Sequence, residues 1–418
     1  MPQGERLGRV ICACAIALWA LGCAQVDRIA IRDRATRDAA SNDGGRADGG
    51  DAGHDAGNPD DDGGNAADSG RDTGVAEDAG DGGGSCPYRS QAPDGGAVAL
   101  DALVAHGLGH ALCSCEAIAL SAALQTDAFD GANGPYTQGE PGGDVGANRE
   151  MSVEGTSNVR GALAIAGNGG LTLGDGAELD VGSDLGVGGP LEGSMARVRV
   201  AGDAAVAGRI VLDALSVTGE LVQPAGTERV LNDASGVQTV RSAAVQVEPP
   251  CDCAQASLLD TAALVRDAAA QAMALQSAAP VLDMACGQYT LAVAPAGDLH
   301  IVAHRSGALY VPGDLTVHGD LIVDTDPGAE LDLFVEVNIS IDGRVQLGTQ
   351  AGQGAVRVYA GGSGTLQLGA GGELHGVLYA PGAELVLSGP LDVQGAVFVR
   401  RAASTAELTV HYDRSLGR

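Results

Sequence analysis

The chain has 418 residues and a net charge of −30, with 54 acidic side chains against 24 basic ones, all of the latter arginine. A chain this acidic, without a basic cluster, is expected to repel nucleic acid and anionic lipid headgroups, which excludes both as partners. The lack of lysine also excludes Schiff-base and P-loop chemistry. Because only 3% of residues are aromatic and 65 are glycine, the core must consist of thin, repetitive layers of Val, Leu, Ile and Ala.

Residues 1–22 are predicted to be a signal peptide. Arg6 and Arg9 form a basic start, and Val10 begins an apolar run of about thirteen residues, too short for a permanent membrane span. The run ends in Gly22-Cys23 and resembles a bacterial lipoprotein signal. The resemblance implies that Cys23 is acylated on its thiol and becomes the new N-terminus. Because Ala24 follows instead of an inner-membrane retention aspartate, the predicted location is the outer membrane, on its periplasmic or cell-surface face.

Residues 23–85 are predicted to be a lipid anchor followed by a disordered tether of Asp, Gly and Ala. Asp-Ala-Gly recurs at 51–53, 55–57 and 78–80. Such a segment cannot bury enough apolar surface to offset its ordering entropy. As a flexible coil it averages about 45 Å end to end. Calcium-binding loops are the alternative, but no run matches the nonapeptide repeat or the EF-hand spacing.

Residues 86–150 are predicted to be a cysteine-containing lead-in of helix and loop. The stretch 101–125 is rich in Ala and Leu, which favours one or two short helices around Cys113 and Cys115. The stretch 129–148 is rich in Gly, Pro and Asn, which is typical of loops.

Six cysteines remain once Cys12, Cys14 and the lipid-site Cys23 are set aside, and an oxidising exported compartment favours three disulfides. Fifteen pairings are possible. Residues two apart rarely bond each other because the ring is strained, so the two Cys-x-Cys pairs are expected to bridge to each other or to the two single cysteines. The bridges would clamp the helical segments against one end of the body. The disulfide candidates are Cys86, Cys113, Cys115, Cys251, Cys253 and Cys286.

A zinc site is the alternative for part of this set. His106, His110, Cys113 and Cys115 supply two imidazoles and two thiols. Cys-x-Cys is an unusual zinc spacing and exported thiols tend to be oxidised, so disulfides are favoured and no metal or cofactor is predicted.

Residues 151–248 and 291–413 are predicted to be two segments of a β-solenoid, separated by a Cys-x-Cys and helix insertion at 249–290. Both segments consist of short alternating strands such as 163–165 and 315–317, punctuated by glycine. In the insertion, Leu258 and Val265 belong to an apolar 3.6-residue period that predicts a helix over 257–276, with Ser257 as its N-cap.

A near-literal repeat supports stacking. Pro-Gly-Ala-Glu-Leu at 327–331 recurs at 381–385, 54 positions later, which would fit three coils of about 18 residues. Short strands, small apolar residues and frequent turns favour a mainly β fold, a parallel β-solenoid (β-helix). A β-sandwich is the rival fold, but it would need longer strands and a bulkier aromatic core.

The segments 378–389, 395–399 and 411–413 resemble a β-helical domain of pilus-assembly-associated and surface proteins. The whole arrangement of lipid-site cysteine, tether, Cys-x-Cys pairs and two-part solenoid resembles an uncharacterised lipoprotein family of Gram-negative bacteria. The resemblance implies a β-helix in the cell envelope and transfers no catalytic residues.

Several residues are candidates for catalysis or sugar binding. Glu330 and Glu384 lie in the two copies of the repeat and are expected to stack about 14 Å apart on one face, too far for a glycosidase pair. A polysaccharide lyase would need clustered aspartates beside a basic residue. The remaining candidates are Arg357, Arg400 and Arg401 for proton abstraction and Tyr310, Tyr359 and Tyr379 for a sugar-stacking strip or bulky wall positions.

The predicted function is an outer-membrane-anchored lipoprotein that displays a non-catalytic β-solenoid as a structural or adhesive cell-surface module. Its expected partners are the membrane, through the lipid anchor, and a cell-surface polysaccharide or protein. A carbohydrate-active β-helix enzyme is the alternative function. Self-assembly through uncapped solenoid ends is a third, weaker hypothesis.

Overall fold

The structure is a computed structural model that describes residues 108–275, 281–348 and 356–417. These residues form a parallel β-solenoid, which confirms the predicted fold class. The predicted signal peptide, the lipid-site Cys23, the tether and Cys86 lie outside the described residues.

Fifteen strands precede the helical connection and form the first segment. They are β1 (Leu112–Ser114), β2 (Ala117–Leu120), β3 (Leu124–Phe129), β4 (Val145–Ala147), β5 (Glu150–Val153), β6 (Thr156–Val159), β7 (Leu163–Ile165), β8 (Gly170–Leu173), β9 (Glu178–Val181), β10 (Leu185–Val187), β11 (Leu191–Gly193), β12 (Arg197–Val200), β13 (Ala204–Val206), β14 (Ile210–Gln223) and β15 (Arg229–Ser242).

Fifteen further described strands form the second segment. They are β16 (Met273–Ala274), β17 (Val281–Met284), β18 (Gly287–Thr290), β19 (Leu299–Ala303), β20 (Gly307–Val311), β21 (Leu315–Val317), β22 (Leu321–Thr325), β23 (Leu331–Val335), β24 (Ile339–Ile341), β25 (Val345–Leu347), β26 (Val356–Ala360), β27 (Thr365–Leu368), β28 (Gly372–Leu387), β29 (Leu391–Ser404) and β30 (Leu408–Asp413).

The strands stack in three parallel faces, and the chain visits them in the order A, B, C in every coil. Face A includes β19, β22, β25, β30, β3, β6, β9 and β12; face B includes β20, β23, β26, β1, β4, β7, β10 and β13; and face C includes β21, β24, β27, β2, β5, β8 and β11. The long strands β14, β15, β28 and β29 bend round the corners and contribute to all three faces.

The core lies along the axis and consists of small aliphatic side chains, as the composition predicted. Alternate residues of each strand point inward, so Leu163, Leu185 and Ala204 stack in register and are each at most 1% exposed. Because each coil contributes only one or two inward side chains per face, aliphatic residues fill the interior.

Corners are built from an aspartate of one coil and a glycine of the next. Asp184 Oδ1 accepts a hydrogen bond from the Asp203 amide at 2.8 Å. A Cβ on Gly202 would lie 2.1 Å from the same oxygen, so only glycine fits there. In the same way, Asp203 Oδ1 accepts from the Glu220 amide and Asp298 Oδ1 accepts from the Asp320 amide. These aspartates therefore satisfy backbone donors that a sharp turn leaves unpaired.

The two segments join into one continuous stack at a seam. Leu112 in β1 pairs with Val397, Ile118 in β2 with Ala402, and Leu124 in β3 with Leu408. The last coil of the second segment therefore lies directly on the first coil of the first segment, one partner on each face. In space the second segment precedes the first, as in a circularly permuted solenoid.

A connection returns the chain from β15 to the far end of the second segment, outside face B. It contains helix α1 (Thr261–Ala269), which buries Leu264 and Val265. The helix begins at Thr261 because Asp260 caps it, accepting from the Ala263 amide at 2.9 Å. The predicted helix over 257–276 with Ser257 as N-cap was therefore too long: 255–257 is a separate 3-10 turn, and Met273–Ala274 pairs with β18 as a strand.

The helices predicted within residues 101–125 were wrong in their described part, whereas residues 130–144 are a loop with one short 3-10 turn, as predicted for 129–148. Residues 112–129 form β1 to β3 instead of helices. Local Ala and Leu content favours helix, but β1 pairs with β29 on one side and β4 on the other, and this pairing overrides propensity. The first solenoid segment therefore starts at β1, not at residue 151.

The predicted three-coil repeat was also wrong. Leu331 lies on face B, whereas Leu385 pairs with Leu366 on face C. Successive partners Leu299, Leu321, Val345 and Gly372 show that coils of the second segment vary in length. The variation comes from the corner loops, which differ in length while the paired strands stay in register.

Candidate functional site

A polar groove crosses four coils on face A of the first segment. Outward positions of β6, β9, β12 and β14 line it, because residues between the inward aliphatic ones must point to solvent. Its volume is about 460 Å³. The polar side chains that line it are Asn158, Arg160, Asp180, Arg199, Ser216 and Thr218.

The groove carries both signs of charge and many hydrogen-bonding groups. Arg199 Nη1 lies 3.1 Å from Asp180 Oδ1 across one coil spacing, with both side chains well exposed. Arg160, which also lines the groove, donates from its Nη1 to the Gly139 carbonyl at 2.9 Å. Guanidinium, carboxylate, amide and hydroxyl groups in a row can hydrogen-bond a hydroxyl-rich chain lying along the solenoid axis.

The loop 130–144 forms one wall of the groove. It folds back on β3 through a pair of backbone hydrogen bonds between Ala128 and Glu140, at 2.7 and 3.1 Å. Pro141 of this loop lies at the groove. Arg414 contacts both Glu140 and the Pro141 carbonyl, so the wall is attached to the last coil of the chain.

A partly buried charged cluster, here called the seam cluster, lies at the junction of the two segments. It consists of Asp127, Tyr136, Asp392 and His411. His411 Nδ1 lies 2.7 Å from Asp127 Oδ1, and its Nε2 lies 3.6 Å from Asp392 Oδ2. The Tyr136 hydroxyl donates to Asp127 Oδ2 at 3.0 Å, and its ring stacks on the imidazole with 3.8 Å between centroids.

The seam cluster changes the protonation of two of its members. Burial by itself lowers the pKa of His411, but the hydrogen bonds and charges of Asp127 and Asp392 outweigh it and raise the pKa to about 9. Burial, together with the hydrogen bond to Asp127, raises the pKa of Tyr136 to about 12. At neutral pH His411 is therefore a cation between two carboxylates, with Tyr136 as a hydrogen-bond donor.

Sequence reasoning did not single out this cluster. His411 and Asp127 are 284 positions apart, and no motif spacing relates them. The tertiary pairing of β3 with β30 brings them together.

Two disulfides join the first coil of the first segment to the connection. Cys113 is joined to Cys251 and Cys115 to Cys253, and Cys286 is also disulfide-bonded. The Cys-x-Cys pairs therefore bridge each other, one of the predicted alternatives. The predicted position at one end of the body was wrong, because β1 lies in the middle of the stack. These bridges hold the start of the connection against face B.

The zinc alternative is not supported by the geometry. Cys113 and Cys115 are in disulfides and have no free thiolate, and His106 lies outside the described residues. Over 108–275, 281–348 and 356–417, no three His, Cys, Asp or Glu side chains converge on a point that could hold a metal ion.

Tyr310, Tyr359 and Tyr379, the candidates for a sugar-stacking strip, belong to a buried stack of rings, here called the aromatic ladder. Successive centroids on face B are 5.4, 4.5, 6.1 and 5.3 Å apart. The three tyrosines are each at most 2% exposed, and in the same apolar cluster α1 contributes Leu264, Val265 and Ala268, so they are not available to stack on sugars. The ladder consists of Tyr310, Phe334, Tyr359, Tyr379 and Phe398.

The carboxylates and arginines weighed as catalytic are engaged in ion pairs. Arg357 binds Asp332 Oδ1 at 2.5 Å and Glu330 Oε2 at 2.8 Å. Arg401 Nε lies 3.5 Å from Glu384 Oε1. Glu330 and Glu384 thus belong to separate pairs on different faces.

Arg400 is engaged in the same way. Its Nη1 lies 3.1 Å from Glu116 Oε2, and its Nε donates to the Gly382 carbonyl. Because Glu116 belongs to the first segment, this pair is a further contact across the seam. None of the three arginines stands beside a cluster of aspartates in the described structure.

Comparison with known proteins gives one match. A family model described as a domain of unknown function (DUF7305) matches residues 296–418, which covers most of the second segment. No curated protein and no solved structure matches the chain. Within the described part of the chain, no helix is long and apolar enough to cross a membrane.

Proposed function

We propose that this protein is an outer-membrane-anchored lipoprotein that displays its β-solenoid as a non-catalytic, adhesive or structural module of the cell surface. The observation that carries the proposal is the polar groove on face A. The groove offers an extended row of hydrogen-bonding groups. Only one of the residues that line it is a carboxylate, Asp180, and this side chain is paired with Arg199 at 3.1 Å.

The rest of the charge pattern supports a binding role over an enzymatic one. Charged groups on neighbouring coils neutralise each other in pairs, as Arg209 does with Glu192 and Arg241 with Glu220. Hydrolases of glycans need two carboxylates converging on one bond, and the lyases considered above need clustered aspartates. Ion pairs of this kind between neighbouring coils stabilise a surface without creating a reactive group.

The proposed ligand class is a cell-surface polysaccharide. A glycan chain presents hydroxyls along its length, and the groove presents matching donors and acceptors along the solenoid axis over about 14 Å, three coil spacings. The proposed lipid on Cys23 and the Asp-Gly-Ala tether would let the body reach such a chain from the membrane. The resemblance to surface and pilus-associated β-helices agrees with this location.

Binding is tested with polysaccharide fractions purified from the surface of the producing cells, by calorimetry on the full chain. The double variant Arg160→Ala/Arg199→Ala should lose at least tenfold in affinity. Arg209→Ala is the matched control, since Arg209 is as exposed as Arg199 (57% and 56%) but lies outside the groove. Equal binding by all three proteins, or none by the wild type, would refute the glycan role. Release of unsaturated sugars or new reducing ends from the same fractions would favour the enzyme alternative.

Anchoring and exposure are tested in cells. Labelling with a fatty-acid analogue should mark the wild type and Cys14→Ser but not Cys23→Ser. Protease added to intact cells should digest the body if it is displayed outside. Complete protection of the body would contradict an adhesive role at the surface.

A further inference from the structure

The last strand of the first segment, β15, is an open end of the solenoid. It is 14 residues long, and none of these residues is fully buried. One edge pairs with β14 along almost its whole length, and β14 is the only strand of the described chain with which it pairs. The opposite edge has no partner strand in the described chain, which makes it an open sheet edge.

The open end also exposes apolar side chains that belong to the core. Leu231, Val237 and Val240 occupy the inward positions below Leu212, Val217 and Leu221. Because no described coil follows β15, Val240 is 45% exposed. The outward-pointing Val230, near the start of the strand, is 46% exposed. Solenoids ordinarily end in polar capping repeats, so an end of this kind requires a cover.

We infer that the cover is a second copy of this chain, bound end to end through β15 about a two-fold axis. The other end of the stack is a poor partner, since its terminal strands β16 and β17 have two and four residues. A second β15 matches the first in length and in its bends, because the two are identical. The two-fold axis lies perpendicular to the solenoid axis, in the plane of the open end. It places face A of one copy next to face A of the other, and face B next to face C, so that the two β15 strands run antiparallel.

The strand is self-complementary in one particular register. When Leu231 faces Val240 of the partner subunit, Val237 faces the partner's Ala234, so apolar residues oppose one another on all three faces. The same register sets Val230 against the partner's Arg241, Arg229 against the partner's Ser242, and Asp233 against the partner's Gln238. No like charges are opposed. A shift by one residue sets Arg229 against the partner's Arg241 and Leu231 against the partner's Thr239, which is unfavourable on both counts.

The geometry gives a dimer with a doubled, continuous solenoid. The interface combines new backbone hydrogen bonds with burial of the open core, the usual components of β-augmentation. The closed two-fold symmetry stops growth at two copies, whereas head-to-tail stacking would continue into filaments.

The inference is tested by the mass of the detergent-solubilised full chain in analytical ultracentrifugation with density-matched detergent. Wild type should sediment as two chains. Val230→Arg sets two arginines against each other across the axis and should sediment as one chain. Val293→Arg is the matched control, because Val293 is also an exposed apolar residue (64%) but lies away from β15. The Val293→Arg variant should remain a dimer. Circular dichroism verifies that each variant is folded.

Cross-linking tests the register. Ser235 lies next to the two-fold axis, so Ser235→Cys should form a covalent dimer on mild oxidation at low protein concentration. Ser152→Cys, at an exposed position of β5, should stay uncross-linked. A single-chain mass for the wild type, a filament, a Val230→Arg dimer, or equal cross-linking by both cysteine variants overturns the inference.

Discussion

The imidazole of His411 lies 2.7 Å from the carboxylate of Asp127, across the seam where the last coil of the chain meets the first. The two residues are far apart in sequence, and their contact exists only when the two segments are stacked. The pair therefore reports on the junction, and its protonation links the stability of the junction to pH.

Stability should fall as pH rises from about 6.5 to about 9. The pKa of His411 is raised from 6.5 to about 9 in the folded state, so its contribution is complete below the unfolded pKa and is lost as pH rises through the folded one. A shift of this size corresponds to roughly 3 kcal/mol. Urea unfolding at several pH values should show this slope for the wild type.

The control for pH dependence is a second histidine–aspartate pair. His411→Gln should remove most of the slope, whereas His318→Gln should not, because His318 is 65% exposed in its pair with Asp342. Parallel stability profiles for wild type and His411→Gln would contradict the role of the seam cluster.

Arg357→Met should lower the free energy of unfolding by about 3–5 kcal/mol, because it leaves Asp332, which is 0% exposed, as a buried charge without its main partner. The double variant Asp332→Leu/Arg357→Met removes both charges and should be more stable than Arg357→Met alone. Urea unfolding of the wild type, the two single variants and the double variant measures the coupling. Additive effects of the two substitutions would show that the ion pair does not couple them.

Removal of the disulfide Cys113–Cys251 should destabilise the protein by about 2–4 kcal/mol, since the bridge closes a long loop between the first coil and the connection. The variant is Cys113→Ser/Cys251→Ser, which leaves the neighbouring bridge Cys115–Cys253 in place. Thermal unfolding without reductant should show a lower midpoint for the variant. With reductant the two proteins should unfold at similar temperatures, and a difference that persists would point to a packing defect instead.

Tyr379→Phe should cost about 1–3 kcal/mol, because the Tyr379 hydroxyl accepts the Leu259 amide at 3.1 Å and its loss leaves a part-buried donor unpaired. Tyr310→Phe is the control: its ring stacks in the same aromatic ladder, and no described residue hydrogen-bonds its hydroxyl. Hydrogen exchange at the Leu259 amide should accelerate in Tyr379→Phe alone. Unchanged exchange there would rule out this contact as an anchor of the connection.

The alternation of small aliphatic residues was sufficient to predict a parallel solenoid in two segments. The turn residues also carry structural information. Gly-Asp-Leu at 297–299, 313–315 and 319–321 marks corners where an aspartate caps the next coil, as Asp298 does. The literal 54-residue repeat, in contrast, was misleading, because corner loops change length without disturbing the strands.

Local sequence by itself determined which residues point inward, because the period of two in a strand depends only on the chain. It also determined that the Cys-x-Cys pairs seek partners elsewhere, since their own ring is strained. Tertiary structure alone decided that the second segment stacks before the first, which makes neighbours of Leu112 and Val397 and of Asp127 and His411. Pairing between coils depends on backbone edges that any strand offers. Stacking order, the seam cluster, the buried aromatic ladder and the open edge of β15 therefore follow from the assembled solenoid and not from any local pattern.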